Sequence, residues 1–200
     1  MKKNHVIKTM LLGMLSIFIA NGHAYAQSWQ VDKVHSTVRF NVSHLVISEV
    51  EGSFKVYEGK IETKKPDFTD AVISFKVDVN SIDTDNGMRD EHLKSPDFFN
   101  AKEYPNMSFK STSFRKKSGN KYELTGDLTI RDVTKKVVFD VTYGGTIKDG
   151  YGNIKSGFKA VSSIDRFAYG LKWNALTEAG GATVGKDVGI TLNLEFAQSK

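Results

Sequence analysis

Residues 188–196 read VGITLNLEF: Val188, Ile190, Leu192, Leu194 and Phe196 alternate without a break with Gly189, Thr191, Asn193 and Glu195. Apolar side chains at every second position fall on one side of an extended chain, so this stretch is a strand with one dry and one wet face. The same period recurs upstream. Val38, Phe40 and Val42 form one series; Phe54 and Val56, after Gly52, form another; Ile73, Phe75, Val77 and Val79 a third. Met107 with Phe109, then Tyr122, Leu124, Leu128 and Ile130, continue it. Val137, Phe139, Val141 and Tyr143 follow, interrupted on the other face by Val138, and Ile154, Phe158 and Ala160 make a weaker series.

Eight such runs are joined by turn-forming pieces: Lys117-Ser118-Gly119-Asn120, Gly144-Gly145 and Asp149-Gly150-Tyr151-Gly152-Asn153. The chain is therefore all-β. Strands that are dry on one face bury it by closing a barrel or by stacking two sheets. Several runs approach about ten residues, roughly 33 Å at about 3.3 Å per residue, and that length favours an elongated barrel. Eight strands enclose a lumen that side chains fill or that holds one small ligand. Two segments depart from the period. Asn86–Ala101 has helix-forming residues up to Lys94, and Pro96 starts a second short turn. Tyr169–Gly185, with Trp173, Leu176 and Gly180-Gly181, reads as a long loop or lid with one helical turn.

The N-terminus has a different pattern. Lys2, Lys3 and Lys8 precede and flank the short apolar run Thr9–Ala20, and Ala24-Tyr25-Ala26 places small residues where a signal peptidase reads them. Residues 1–26 are expected to be a cleavable secretory signal, since the apolar run is too short to span a bilayer. Removing 26 of the 200 residues leaves 174, suited to one domain over residues 27–200. The formal charge of +5 includes the three leader lysines, so the remaining chain is near +2, spread evenly, which argues against nucleic acid. The absence of cysteine removes thiol nucleophiles, disulfides and Cys-ligated metal.

Catalytic patterns are missing. His35, His44 and His92 show no HxH or HExxH spacing, and nine residues along one strand would send His35 and His44 to opposite faces, so no metal site is expected. Asp83-Thr84-Asp85-Asn86-Gly87 fails as a calcium loop because Met88 and Lys94 stand where Gly and Glu are required. Arg89-Asp90-Glu91-His92 is either an acid–base cluster or a helix turn with acids near its start, the latter being the simpler account. No nucleophile elbow or phosphate-binding glycine loop occurs.

A series of motifs in order carries a family resemblance. It runs Trp29-x-Val31-Asp32-x-x-His35-Ser36-x-Val38-x-Phe40-x-Val42-x-His44, Val50-x-Gly52-x-Phe54, Ser81-Ile82-Asp83-Thr84 and Arg89-Asp90-x-His92-Leu93-Lys94-Ser95-x-Asp97-Phe98-Phe99. Tyr104-Pro105-x-Met107-x-Phe109, Gly126-Asp127-Leu128-Thr129-Ile130-Arg131, Val133-Thr134-Lys135 and Arg166-x-x-Tyr169-Gly170 complete it. The chain closely resembles the YceI-like family of exported bacterial proteins over residues 29–197, departing from it in having Asp132 where the family tends to have Gly. The resemblance implies an eight-stranded antiparallel, lipocalin-like barrel with a short helical insertion near residues 87–99. It also implies a hydrophobic channel able to hold an isoprenoid, as a polyprenyl lipid or quinone tail.

On this reading the tail lies among Phe40, Val42, Phe54, Phe75, Phe109, Leu128, Phe139, Phe158 and Ile190, positions taken from the alternation. His44, Arg89 and His92 are the candidates to meet a head group near one mouth. The expected protein is a periplasmic carrier, released from the cell or not, with no cofactor, no nucleic acid partner and no stable membrane insertion. A homodimer is consistent with family likeness and base rate, though no interface shows in the sequence. Two other classes remain open: an enzyme acting on a bound lipid or quinone through Arg89 and His92, and a stress-linked structural barrel with a filled core.

Overall fold

The computed structural model describes residues 26–175 and 183–199. All of the proposed leader except Ala26 lies outside them, as does the middle of the Tyr169–Gly185 segment. Strands β1 (Gln27–Val31), β2 (Thr37–His44), β3 (Ser48–Phe54), β4 (Tyr57–Thr63), β5 (Val72–Asp78) and β6 (Ile82–Asp83) precede helix α1 (Gly87–Lys94). After it come β7 (Asn106–Ser118), β8 (Lys121–Ile130), β9 (Val133–Lys148), β10 (Ile154–Asp165) and β11 (Val184–Gln198).

The eleven strands occupy eight positions of a closed antiparallel barrel. Three positions are bent pairs. β1 continues into β2, β3 into β4, and β5 into β6, and each half pairs with the matching half of its neighbour: β2 with β3, β1 with β4, β4 with β5, β3 with β6. From β5 the sheet passes through β7, β8, β9 and β10 to β11, which closes the ring by pairing with β2 and β1.

The bends shift the period by one residue. Trp29, Tyr57, Ile61, Ile73 and Val77 are buried at odd positions, whereas Val38, Phe54 and Ile82 are buried at even ones. Inserting residues at a bend, as a bulge does, keeps the apolar series inward while the strand turns. The three bends lie side by side and are tied together. Tyr57 Oη donates to Ser36 O at 2.6 Å, Lys55 N to Ser81 O at 3.1 Å, and Val56 N to Ser81 Oγ at 3.0 Å. The expected continuation of the Phe54 face to Val56 therefore fails: Val56 falls in the bend and is exposed, and Tyr57 takes the inward position.

Outward positions are mostly polar, as along β7, where Asn106, Ser108, Lys110 and Thr112 are exposed, with scattered exceptions such as Val72, Val138 and Val161. A membrane-spanning barrel carries an apolar band there instead. Among the described residues no helix is long and apolar enough to cross a membrane. The helical insertion forms as expected. The Asn86 side chain caps α1 by accepting from Arg89 N at 3.0 Å, and the helix stops at Ser95, before Pro96. In the β8–β9 turn the left-handed residue is Arg131 (φ 56°), so Asp132 bears no strain from replacing glycine. Of the Tyr169–Gly185 segment, expected as a loop or lid with one helical turn, residues 176–182 lie outside the described residues; a 3-10 turn over Arg166–Tyr169 leads into it.

Candidate functional site

The barrel interior holds a cavity of about 210 Å³, far above the roughly 10–15 Å³ that a single water needs. Its wall is apolar: of the three polar residues along it, Arg39 and Ser108 are exposed positions on the strands and only Arg166 is buried. A pocket of this kind cannot hydrogen-bond a polar solute; it gains from excluding water around a hydrocarbon.

Facing glycines keep the lumen open. Phe40 pairs with Gly52 across β2–β3, and Phe75 with Gly59 across β4–β5. A Cβ on Gly52 would stand 2.7 Å from Phe40 Cε1, and one on Gly59 would stand 2.5 Å from Phe75 Cε2. The rings therefore lie along the wall over their partner glycines. The Phe109 ring covers Gly126 in the same way.

One end of the barrel is plugged. The β4–β5 loop drives Phe68 inward, 2% exposed and with φ 61°. There it meets Trp29 at 5.3 Å, Phe158 at 5.2 Å and Tyr143 at 5.7 Å between ring centroids. Asp70 holds the loop by accepting from Thr63 Oγ1 and from the N–H groups of Lys64 and Lys65, and Tyr122 Oη donates to Asp67 O.

The other end is covered by the helical insertion and the chain after β10. Leu93, Phe98, Phe99 and Leu171 line the cavity there, with Arg166. Arg166 is 4% exposed. Its guanidinium donates to four carbonyls: Gly185 O (2.8 Å), Leu171 O (2.6 Å), Trp173 O (2.8 Å) and Val184 O (3.0 Å). Burial pulls its pKa down from the usual guanidinium value, partly opposed by Asp165. Among the described residues no carboxylate forms an ion pair with it. Arg131 joins the same cap by donating to Phe98 O and Gly170 O.

The twelve residues expected at the site divide by chemistry. Phe40, Val42, Phe54, Phe75, Phe109, Leu128, Phe139, Phe158 and Ile190 all line the cavity. His44, Arg89 and His92 stand off its wall. His44 ends β2, paired with Val184 and Ser48. Arg89 is spent on Thr84, with Nε donating to Oγ1 and Nη2 to the carbonyl. His92 bonds Asp97 at 2.9 Å and packs edge-on against Phe98 and Trp173. The buried residue that does reach the wall with a charge, Arg166, sits in a motif already visible in the sequence, but a lone arginine at a strand end carries no signal of burial.

His35 also differs from expectation, because it precedes β2 in the bend and strand alternation does not govern it. On the outside of the barrel Asp32, His35 and Glu195 come close enough to share a cation. Lys155 already supplies one, with Nζ 2.6 Å from Asp32 and 3.1 Å from Glu195. Its ammonium, hydrogen-bonded to Asp32, and the His35 ring hold the Asp32 carboxyl far below the usual range.

The YceI-like domain family matches residues 29–196. A UPF0312 protein of Staphylococcus aureus is 35% identical over 170 residues, 84% of this chain and 96% of that protein. The YceI protein of Campylobacter jejuni superposes with a TM-score of 0.68 at 32% identity, covering 79% of this chain and 90% of that one. A polyisoprenoid binding domain from Saccharophagus degradans, implicated in plant cell wall breakdown, shares the fold with a TM-score of 0.61 at 14% identity, covering 86% and 98%.

Proposed function

The chain belongs to the YceI-like family, and from that premise we propose that it is a non-catalytic carrier that encloses the apolar chain of an isoprenoid amphiphile, a polyprenyl lipid or a quinone. The observation that carries this is the cavity itself: a plugged barrel whose lumen is walled by phenylalanine and aliphatic side chains. Burying each methylene is worth about 0.8 kcal/mol, so ten carbons supply about 8 kcal/mol before the costs of association. The name of the Saccharophagus degradans domain points to the same ligand class in a barrel of the same fold. Export fits the reading, since a carrier has work to do where lipids cross water, and residues 1–26 supply the leader pattern. The enzymatic alternative loses its motive, because Arg89 and His92 are engaged by Thr84 and Asp97 and stand off the cavity wall.

Native mass spectrometry of protein purified without added lipid tests the proposal. One lipid per barrel, recovered by organic extraction with an isoprenoid chain, is the expected result. A ligand-free spectrum with an empty extract overturns it.

A further inference from the structure

The β2–β3 hairpin turns on Leu45, Val46 and Ile47, three consecutive apolar residues that are 40%, 71% and 86% exposed. Leu45 (φ 51°) and Val46 (φ 66°) both adopt the left-handed region. A two-residue turn of this hand is ordinarily Asn-Gly or Asp-Gly, and a β-branched residue there is a true outlier. The tip thus bears two costs at once, backbone strain and apolar surface in water. Neither contributes to the core, and polar turn residues would remove both.

Its position gives the tip a use. Leu45 N donates to Thr183 O at 2.9 Å, and the adjoining pair His44–Val184 is the last of the β2–β11 ladder. Val184 and Val42 line the cavity. The exposed tip therefore stands against the cavity end opposite the Phe68 plug. At the same end Met88, 85% exposed, stands in the first turn of α1, whose Leu93 lines the cavity. The lysine beside the tip is not free to recruit an anionic surface: Lys186 lies 3.8 Å from Asp165 and 4.0 Å from Asp187, and Glu49 stands on the adjoining strand.

We propose that Leu45, Val46 and Ile47 form a membrane-contacting tip that enters the headgroup boundary of a bilayer and sets the Val42–Val184 end of the cavity against it. This rests on the carrier reading above. A water-insoluble chain can then pass between bilayer and barrel without crossing solvent. Association driven by apolar insertion and not by basic residues persists on neutral lipid and at high salt.

The test uses protein purified from cells expressing the full 200-residue sequence, and a variant carrying Val46→Asn and Ile47→Thr, residues the turn accommodates well. Flotation with phosphatidylcholine vesicles, at low and high salt, reads membrane contact. Transfer of a fluorescently labelled geranylgeraniol between vesicles reads delivery, and probe held per protein at equilibrium reads the cavity. The expected result is salt-insensitive flotation of the parent protein, with flotation and transfer rate both reduced at least fivefold in the variant and the held probe unchanged. Equal flotation of the two proteins, or none by the parent, overturns the proposal. So does a dimer that the substitutions dissociate, which would make the tip an interface between copies. Failure of both proteins to hold the probe strikes the carrier reading, while flotation reports on the tip independently.

Discussion

Phe40 lies flat over Gly52 of the adjoining strand, its Cε1 2.7 Å from where a β-carbon on that glycine would stand. The pair widens the lumen by laying a large ring along its own wall. Substituting Gly52→Ala displaces the ring, and the Thr84 methyl on the other side, at 2.7 Å, leaves inward rotation as the relief. The expected outcome is a folded barrel with reduced lipid capacity, destabilised by about 1–3 kcal/mol. Urea unfolding and lipid extraction measure the two effects separately. Gly126→Ala is the harsher change, because the new carbon would meet Lys110 O at 2.5 Å as well as the Phe109 ring, and a backbone oxygen cannot swing away.

Removing the plug separates closure from lining. Phe68→Ala deletes a ring that contacts Trp29, Tyr143 and Phe158 but does not line the cavity. The loss of packing costs about 3–5 kcal/mol, as for other buried aromatics. The second consequence is access: the bound chain should exchange faster, read as a higher dissociation rate of a fluorescent isoprenoid. An unchanged rate in a folded variant would mean that this end does not limit release.

The uneven legibility of the sequence has a physical basis. Ile190, Leu192 and Leu194 announce a barrel wall because one uninterrupted strand keeps one period. β4 escapes notice because its inward positions are Tyr57, Gly59, Ile61 and Thr63, and neither glycine nor threonine reads as apolar. Val56 misleads for a related reason, since alternation cannot reveal a bend at Lys55–Val56 that resets the phase. Phe68 sits between Asp67 and Thr69 in a turn, where no periodicity marks a buried ring. The apolar lining was legible because position along a strand determines it. Polar candidates were not, since Arg89 and His92 owe their directions to Thr84 and Asp97, contacts that helix periodicity does not encode.

Arg166 ties the capping segment to β11, and its four carbonyl partners make the guanidinium fork the relevant property. Arg166→Lys retains charge but cannot reach four acceptors at fixed angles. Both Arg166→Lys and Arg166→Met are expected to lose about 2–4 kcal/mol, with buried carbonyls left unpaired. Hydrogen exchange localises the effect: faster exchange should be confined to residues near Leu171–Trp173 and Val184–Gly185 at small destabilisation.

The Asp32–Lys155 pair sets an acid limit on stability. Lys155, whose own pKa is raised chiefly by its hydrogen bond to Asp32, and His35 both favour the ionised carboxylate. A depressed folded pKa means that the contribution is complete above the ordinary aspartate value, about 3.9, and disappears as pH falls below it. Asp32→Asn should therefore flatten the stability profile between about pH 4 and pH 2 while lowering the plateau above it. With both side chains 16% exposed, the pair lies between a surface bridge and a buried one, and its loss should cost about 1–3 kcal/mol at neutral pH. His35 works in the opposite sense. Its pKa is raised by its bond to Asp32, so its stabilisation is complete below about pH 6.5 and fades as pH climbs through the raised value. Urea unfolding from pH 2 to pH 9 separates the two. Asp32→Asn should reduce the acid slope to the part that Asp67, Asp70, Asp83, Glu123 and Asp149 supply, and weaken the upper one as well, whereas His35→Gln should remove only the upper one; an acid limb unchanged in Asp32→Asn would place the controlling carboxylates among those five.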